Sequence, residues 1–212
     1  MKINAVITKK PRIKLQNFEF NLVNRSLFFI AGIMLLSILS GALIYKLKSE
    51  VIKASVFEMF VAFSTDVTGK SFFEAFSGFF AVDLSVLVIL SLLGTSAFGR
   101  FPILIAAAFR TFGIGALGAY LFDSFGSAGL KYFLIIILPG KIFMFFALLL
   151  SVQNCFQTSR KVNLYTLERS TEKIDYKIYA ARNAVALVVF ALSSVIDAVL
   201  LKFLSGYFLP SI

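Results

Sequence analysis

Long apolar runs separated by short polar links set the layout of this chain. A helix needs about 20 largely apolar residues to cross the hydrocarbon core of a membrane. Leu27–Tyr45 is such a run and carries no charge. Phe79–Phe98 follows with Asp83 inside it, and Pro102–Phe122 with Arg110. Tyr132–Val152 holds Pro139 and Lys141, and Asn183–Leu204 holds Asp197 and Lys202. The pattern predicts an all-α, polytopic integral membrane helical bundle of about five transmembrane helices (27–45, 79–98, 102–122, 132–152 and 183–204).

The segments between the runs have characters of their own. Residues 1–26 form a basic N-terminal segment, and the first run is read as a retained helix because its apolar stretch exceeds that of a signal peptide. In the segment 46–78, Ile52, Val56, Met59, Phe60 and Phe63 recur at helical spacing. That stripe predicts an amphipathic helix, lying on the outer membrane face as a candidate partner surface or packed on the bundle. Phe72, Phe73, Phe76, Phe79 and Phe80 continue a helical stripe into the second run. The loop 153–182 is polar and basic, with Glu168, Glu172, Lys173 and Lys177 at helical pair spacing, and 205–212 is a short tail.

Charge adds sidedness. With the N-terminus inside, the segments on that side hold thirteen Lys and Arg, against six at the other end. That bias predicts N-inside and C-outside. Tyr45, Tyr120, Tyr132 and Tyr207 fall at outer run ends, and Tyr176 and Tyr179 just before the fifth run, as interfacial anchors do. The net charge of +10 does not signal nucleic acid, because the basic residues flank apolar runs and form no hydrophilic patch.

Composition narrows the chemistry. Apolar residues make up 59% of the 212, and charged residues 15%, against roughly 25% in a soluble domain. The only cysteine is Cys155 and there is no histidine, which excludes an internal disulfide, the usual Cys/His zinc sites and a His-based triad. No enzyme, cofactor or metal is expected. Gly113-Ile-Gly115-Ala-Leu-Gly118 matches a dinucleotide fingerprint but follows no strand. Ala107, Thr111, Gly115 and Ala119 instead recur every four residues, a smooth face for close approach of another helix. Thr68-Gly69-Lys70-Ser71 resembles the end of a phosphate-binding loop, but Ser64 stands where its first glycine belongs.

The sharpest features are Asp83, Arg110, Lys141 and Asp197. An ion at the bilayer centre costs about 2.5–3.5 kcal/mol on insertion scales, so such groups pair or face water. Counted from the inner run ends, Arg110 is roughly 12 Å deep, Lys141 16 Å, Asp197 21 Å and Asp83 22 Å. Those depths put either aspartate within reach of an extended Lys141 side chain, with Lys141–Asp197 the preferred pair, and leave Arg110 to snorkel toward the inner surface. The four are read as buried polar glue fixing helix register, or as part of a transport route in a small transporter or permease subunit. Pro139-Gly140 predicts a packing kink in the fourth run.

The order of several short stretches resembles the stage II sporulation protein M family. They are Leu93-Gly94-Thr95-Ser96-Ala97-Phe98-Gly99-Arg100-Phe101-Pro102, Arg110 with Gly113-Ile-Gly115, Leu138-Pro139, and Ile196-Asp197-Ala198 with Pro210. The Phe-rich stretch from Phe72 to Asp83 also looks like that family's, so the likeness covers about 70–212 and suits a divergent member. The resemblance implies a non-enzymatic scaffold in the cell membrane, at the septum during sporulation. There it would hold peptidoglycan hydrolases, the stage II sporulation proteins P and D, for wall remodelling and forespore engulfment. Membrane lipid and those proteins are the expected partners; nucleic acid is not, and a homo-oligomer is left open.

Overall fold

The computed structural model describes residues 13–47, 71–167 and 175–208, with side chains over 25–47, 71–166 and 175–204. The candidate surface Ile52, Val56, Met59, Phe60 and Phe63 lies outside these residues, as do Glu168, Glu172, Lys173 and the side chain of Tyr207. Among the described residues five α-helices follow in order: α1 Ile13–Leu47, α2 Phe72–Gly94, α3 Arg100–Tyr132, α4 Leu138–Leu167 and α5 Tyr176–Phe208. A π-turn, Phe133–Ile137, joins α3 to α4. No strand occurs among the described residues.

Among the described residues four helical stretches are long and apolar enough to cross a membrane, and one of them, Arg100–Thr166, runs for 67 residues. Drawn straight it would measure about 100 Å, three times the hydrocarbon thickness. It is not straight. Gly126 has φ 58 and ψ −132, a conformation that L side chains rarely adopt, and the chain doubles back there. Gly118 consequently packs on the Phe133 ring, and Gly129 on the Leu121 carbonyl. The long stretch therefore supplies two arms, and the expected count of about five becomes four stretches with one folded in two.

Local chemistry sets the helix ends. Ser71 caps α2 in a reciprocal box: its Oγ accepts from Glu74 N–H at 3.3 Å, and its own N–H donates to Glu74 Oε2 at 2.7 Å. Asp175 Oδ1 accepts from the N–H groups of Lys177 and Ile178 at the start of α5. Pro102 sits in the first turn of α3, where its missing N–H costs nothing. These signals displace the expected boundaries. The second run, expected over 79–98, is helix from Phe72 to Gly94, followed by a turn at 95–99. The expected loop 153–182 is mostly helix, because α4 continues to Leu167 and α5 begins at Tyr176. Hydropathy follows the lipid-facing length, whereas backbone hydrogen bonding carries on past it.

The outside of the bundle is apolar and much of the inside is polar. Phe101 is 79% exposed and Phe109 80%, with Phe28, Leu36 and Val188 also open around the perimeter. Such a surface needs lipid as its solvent. Polar groups cross-tie one end, where α2, α4 and α5 meet. Ser159 Oγ donates to Ser96 O at 2.8 Å, Asn163 to Ala97 O at 3.0 Å, and Tyr179 OH to Ser91 O at 2.7 Å. Arg25, Arg100, Arg160, Lys161, Lys177 and Arg182 cluster at this basic end. Tyr45, Tyr120 and Tyr132, expected as interfacial anchors, are buried inside the opposite end instead. Their rings pack inward, Tyr45 edge-on to Tyr120 at 6.2 Å, with the Tyr45 hydroxyl 3.4 Å from Asp123. Tyr179 is likewise buried, whereas Tyr176 is exposed.

Candidate functional site

Four helices contribute one charge each to a single layer. Lys141 of α4 reaches Asp197 of α5, Nζ to Oδ2 at 2.7 Å. Arg110 of α3 reaches Asp83 of α2 at 2.6 Å. The carboxylates are the buried partners: the Asp83 and Asp197 side chains are 4% and 3% exposed, against 29% for Arg110 and 16% for Lys141. Two cations and two anions leave the layer neutral, as burial demands. Arg110 therefore does not snorkel. Counted from Gly94 and Arg100, Asp83 and Arg110 both lie roughly 15–17 Å deep, which puts them level.

Serines on α5 tie the two pairs together. Ser194 Oγ donates to Phe190 O at 3.0 Å and lies 3.4 Å from Asp83 Oδ2, one turn before Asp197. Ser193 Oγ donates to the Gly140 carbonyl at 2.8 Å. Gly140 is where it is because a Cβ would run into the Asp197 carboxylate. Pro139 does not break the helix. The Leu138 N–H instead donates to Phe133 O, five residues back, and a π-turn absorbs the room the proline ring needs.

The small-residue stripe lies elsewhere, between α1 and α3. A Cβ on Gly115 would strike the Ile38 carbonyl, and one on Gly41 the Phe112 carbonyl. Ser37 Oγ donates to Ala108 O across the same seam. Ala107 and Thr111 are buried on the α3 face, Thr111 turning its hydroxyl back to Ala107 O at 3.0 Å, and Ala119 is half-buried.

Apolar residues close the charged layer on both sides. Toward the basic end lie Leu87, Leu90, Met144, Leu148, Ala186 and Phe190; toward the other, Leu121, Tyr132, Ile136, Ile137 and Leu201. Sideways, a groove of about 270 Å³ opens between α1, α3 and α4, lined by Leu35, Ile38, Ile114, Phe145 and the Lys141 stem. Its walls are almost wholly apolar, so lipid chains rather than water suit it.

A second polar cluster, absent from the sequence reading, lies nearer the basic end. Asn154 Nδ2 donates to Asn183 Oδ1 at 2.9 Å and to Tyr179 O at 3.1 Å, and Asn183 Nδ2 to Ser91 Oγ at 3.0 Å. Cys155 Sγ lies 3.4 Å from the Tyr179 hydroxyl. A signal for it exists. Ser151, Asn154, Cys155, Thr158 and Ser159 recur at helical spacing, and all five are buried. Among the described residues no group of three His, Cys, Asp or Glu side chains converges on a metal-sized position.

Neither a curated protein nor a solved structure matches this chain. A family model described as Stage II sporulation protein M does match, over residues 26–202. That span takes in all four charges, the Gly115 seam and the second polar cluster. It covers well over half of the sequence, and the chain belongs to the stage II sporulation protein M family.

Proposed function

We propose that this membrane protein of a sporulation family is a non-enzymatic scaffold, one that assembles or localises peptidoglycan hydrolases in the septal membrane. One observation carries the reading: Asp83, Arg110, Lys141 and Asp197 are each paired with another charge of the same layer, and packed apolar residues lie on both sides of it. A transport route needs water or a substrate to reach such groups. Here Phe190, Leu90 and Met144 lie on one side, and Leu121 and Ile136 on the other. Paired and sealed charges serve register, holding four helices in one arrangement. A rigid bundle of this kind suits anchorage, leaving recognition to segments outside the membrane. Residues 50–70, with Ile52, Val56, Met59, Phe60 and Phe63, are the segment proposed to meet the hydrolases, the stage II sporulation proteins P and D among them.

Affinity capture from detergent-solubilised membranes tests the role. The tagged full chain is expected to retain a wall hydrolase, and deletion of 50–70 to reduce recovery to background while the bundle still purifies. Failure of the intact chain to retain any hydrolase contradicts the scaffold. Undiminished capture by the deletion variant contradicts the role given to 50–70.

A further inference from the structure

Among the described residues the two ends of the bundle differ in charge. Arg25, Arg160, Lys161, Lys177 and Arg182 are all exposed at the basic end, and Arg100 is half-buried among them with its guanidinium 5.9 Å from the centre of the Phe156 ring. Asp175 is the one carboxylate described there, and it is occupied in capping α5 through Lys177 N–H and Ile178 N–H. The opposite end has, among the described residues, Lys46, Lys131 and Lys202, offset by Glu74 and Asp123. Exposed apolar side chains stand just beside the cations: Phe98 and Phe101 at the α2–α3 turn, Tyr165 on α4, and Tyr176 and Ile178 on α5.

We propose that this rim is a binding surface for anionic phospholipid, with Arg160, Lys161 and Lys177 engaging headgroup phosphates and Phe98, Phe101 and Ile178 lying among the acyl chains. Charge complementarity selects the occupant. Residues that alternate between lysine or arginine and exposed aromatic groups match the boundary between headgroups and hydrocarbon. Each cation near a membrane surface favours an anionic lipid severalfold. An acidic protein or nucleic acid would satisfy the cations but leave Phe98, Phe101 and Ile178 against a polar partner. The surface is separate from the charged layer and independent of any hydrolase binding.

The test uses the full chain in nanodiscs of mixed phosphatidylglycerol and phosphatidylcholine, with co-purifying lipid counted by mass spectrometry after mild detergent extraction. Wild type is expected to retain phosphatidylglycerol about fivefold over its bulk ratio. The triple variant Arg160→Gln, Lys161→Gln, Lys177→Gln is expected to fall to near the bulk ratio. The charge-keeping set Arg160→Lys, Lys161→Arg, Lys177→Arg should retain the enrichment, and so should Lys131→Gln with Lys202→Gln at the other end. Retention at the bulk ratio by wild type overturns the proposal, as does equal loss from the Lys131 and Lys202 variant. Retention of RNA or an acidic polypeptide in place of phosphatidylglycerol also overturns it.

Discussion

Asp197→Asn is expected to destabilise the bundle by about 3 kcal/mol, the scale for breaking a buried ion pair from one side. The substitution keeps the shape against Gly140 and removes the charge that holds Lys141 Nζ at 2.7 Å. Lys141 then has little to turn to. Its stem lines an apolar groove, and the nearby Gly140 carbonyl already accepts from Ser193. The double variant Lys141→Gln, Asp197→Asn removes both charges and keeps a hydrogen bond within reach, so the loss should shrink to about 1 kcal/mol. Unfolding of the purified protein in mixed micelles measures both. A double variant as unstable as the single one would show that Lys141 does not depend on Asp197.

Within the apparent dinucleotide fingerprint, the glycines should respond very differently to substitution. Gly115→Leu drives a side chain into the Ile38 backbone and is expected to cost about 3 kcal/mol or more, separating α1 from α3. An added Cβ at exposed Gly113 meets nothing within 4 Å, and Gly113→Leu should fall within about 0.5 kcal/mol of wild type. Gly118 lies between these extremes, since an added Cβ meets only the Phe133 ring, at 3.2 Å. A phosphate-cradling loop would need backbone approach at all three; a helix seam needs only the residue facing the neighbour. Equal sensitivity at Gly113 and Gly115, read by thermal unfolding in detergent, would contradict the seam.

These two sites also show how far the sequence can be read. Lys141 and Asp197 meet because an extended lysine side chain spans the roughly 5 Å between their counted depths, and both lie well inside helices whose phase is set by long apolar runs. Arg110 and Asp83 were not legible as a pair. Taking the second helix to Phe98 instead of Gly94 adds four residues, about 6 Å, to the apparent depth of Asp83 and lifts it away from Arg110. The turn at 95–99 is apolar enough to pass for helix, so hydropathy alone has no means of ending α2 there.

The second polar cluster escaped for the opposite reason. Asn154, Thr158 and Ser159 lower the local hydropathy until the end of α4 reads as a loop, although all three are buried, with Asn154 hydrogen-bonding to Tyr179 and Asn183 of α5 and Ser159 to Ser96 in the turn after α2. In lipid, polarity marks the inside of a bundle as readily as its ends. The tyrosines make the same point. Position near a helix end is visible in the sequence, but whether Tyr45 or Tyr179 turns toward lipid or toward Asp123 and Ser91 depends on the packing of other helices.

A sealed scaffold requires that Asp83, Arg110, Lys141 and Asp197 sit in a dry, closed layer. Cysteine accessibility in native membranes tests it most directly, using a Cys155→Ala background and a water-soluble maleimide. Ser194→Cys, beside Asp83, should remain unlabelled from either side, while Lys177→Cys at the exposed basic rim is labelled to completion. Labelling of Ser194→Cys at a rate comparable to Lys177→Cys would mean that water reaches the charged layer, and a sealed scaffold could not stand.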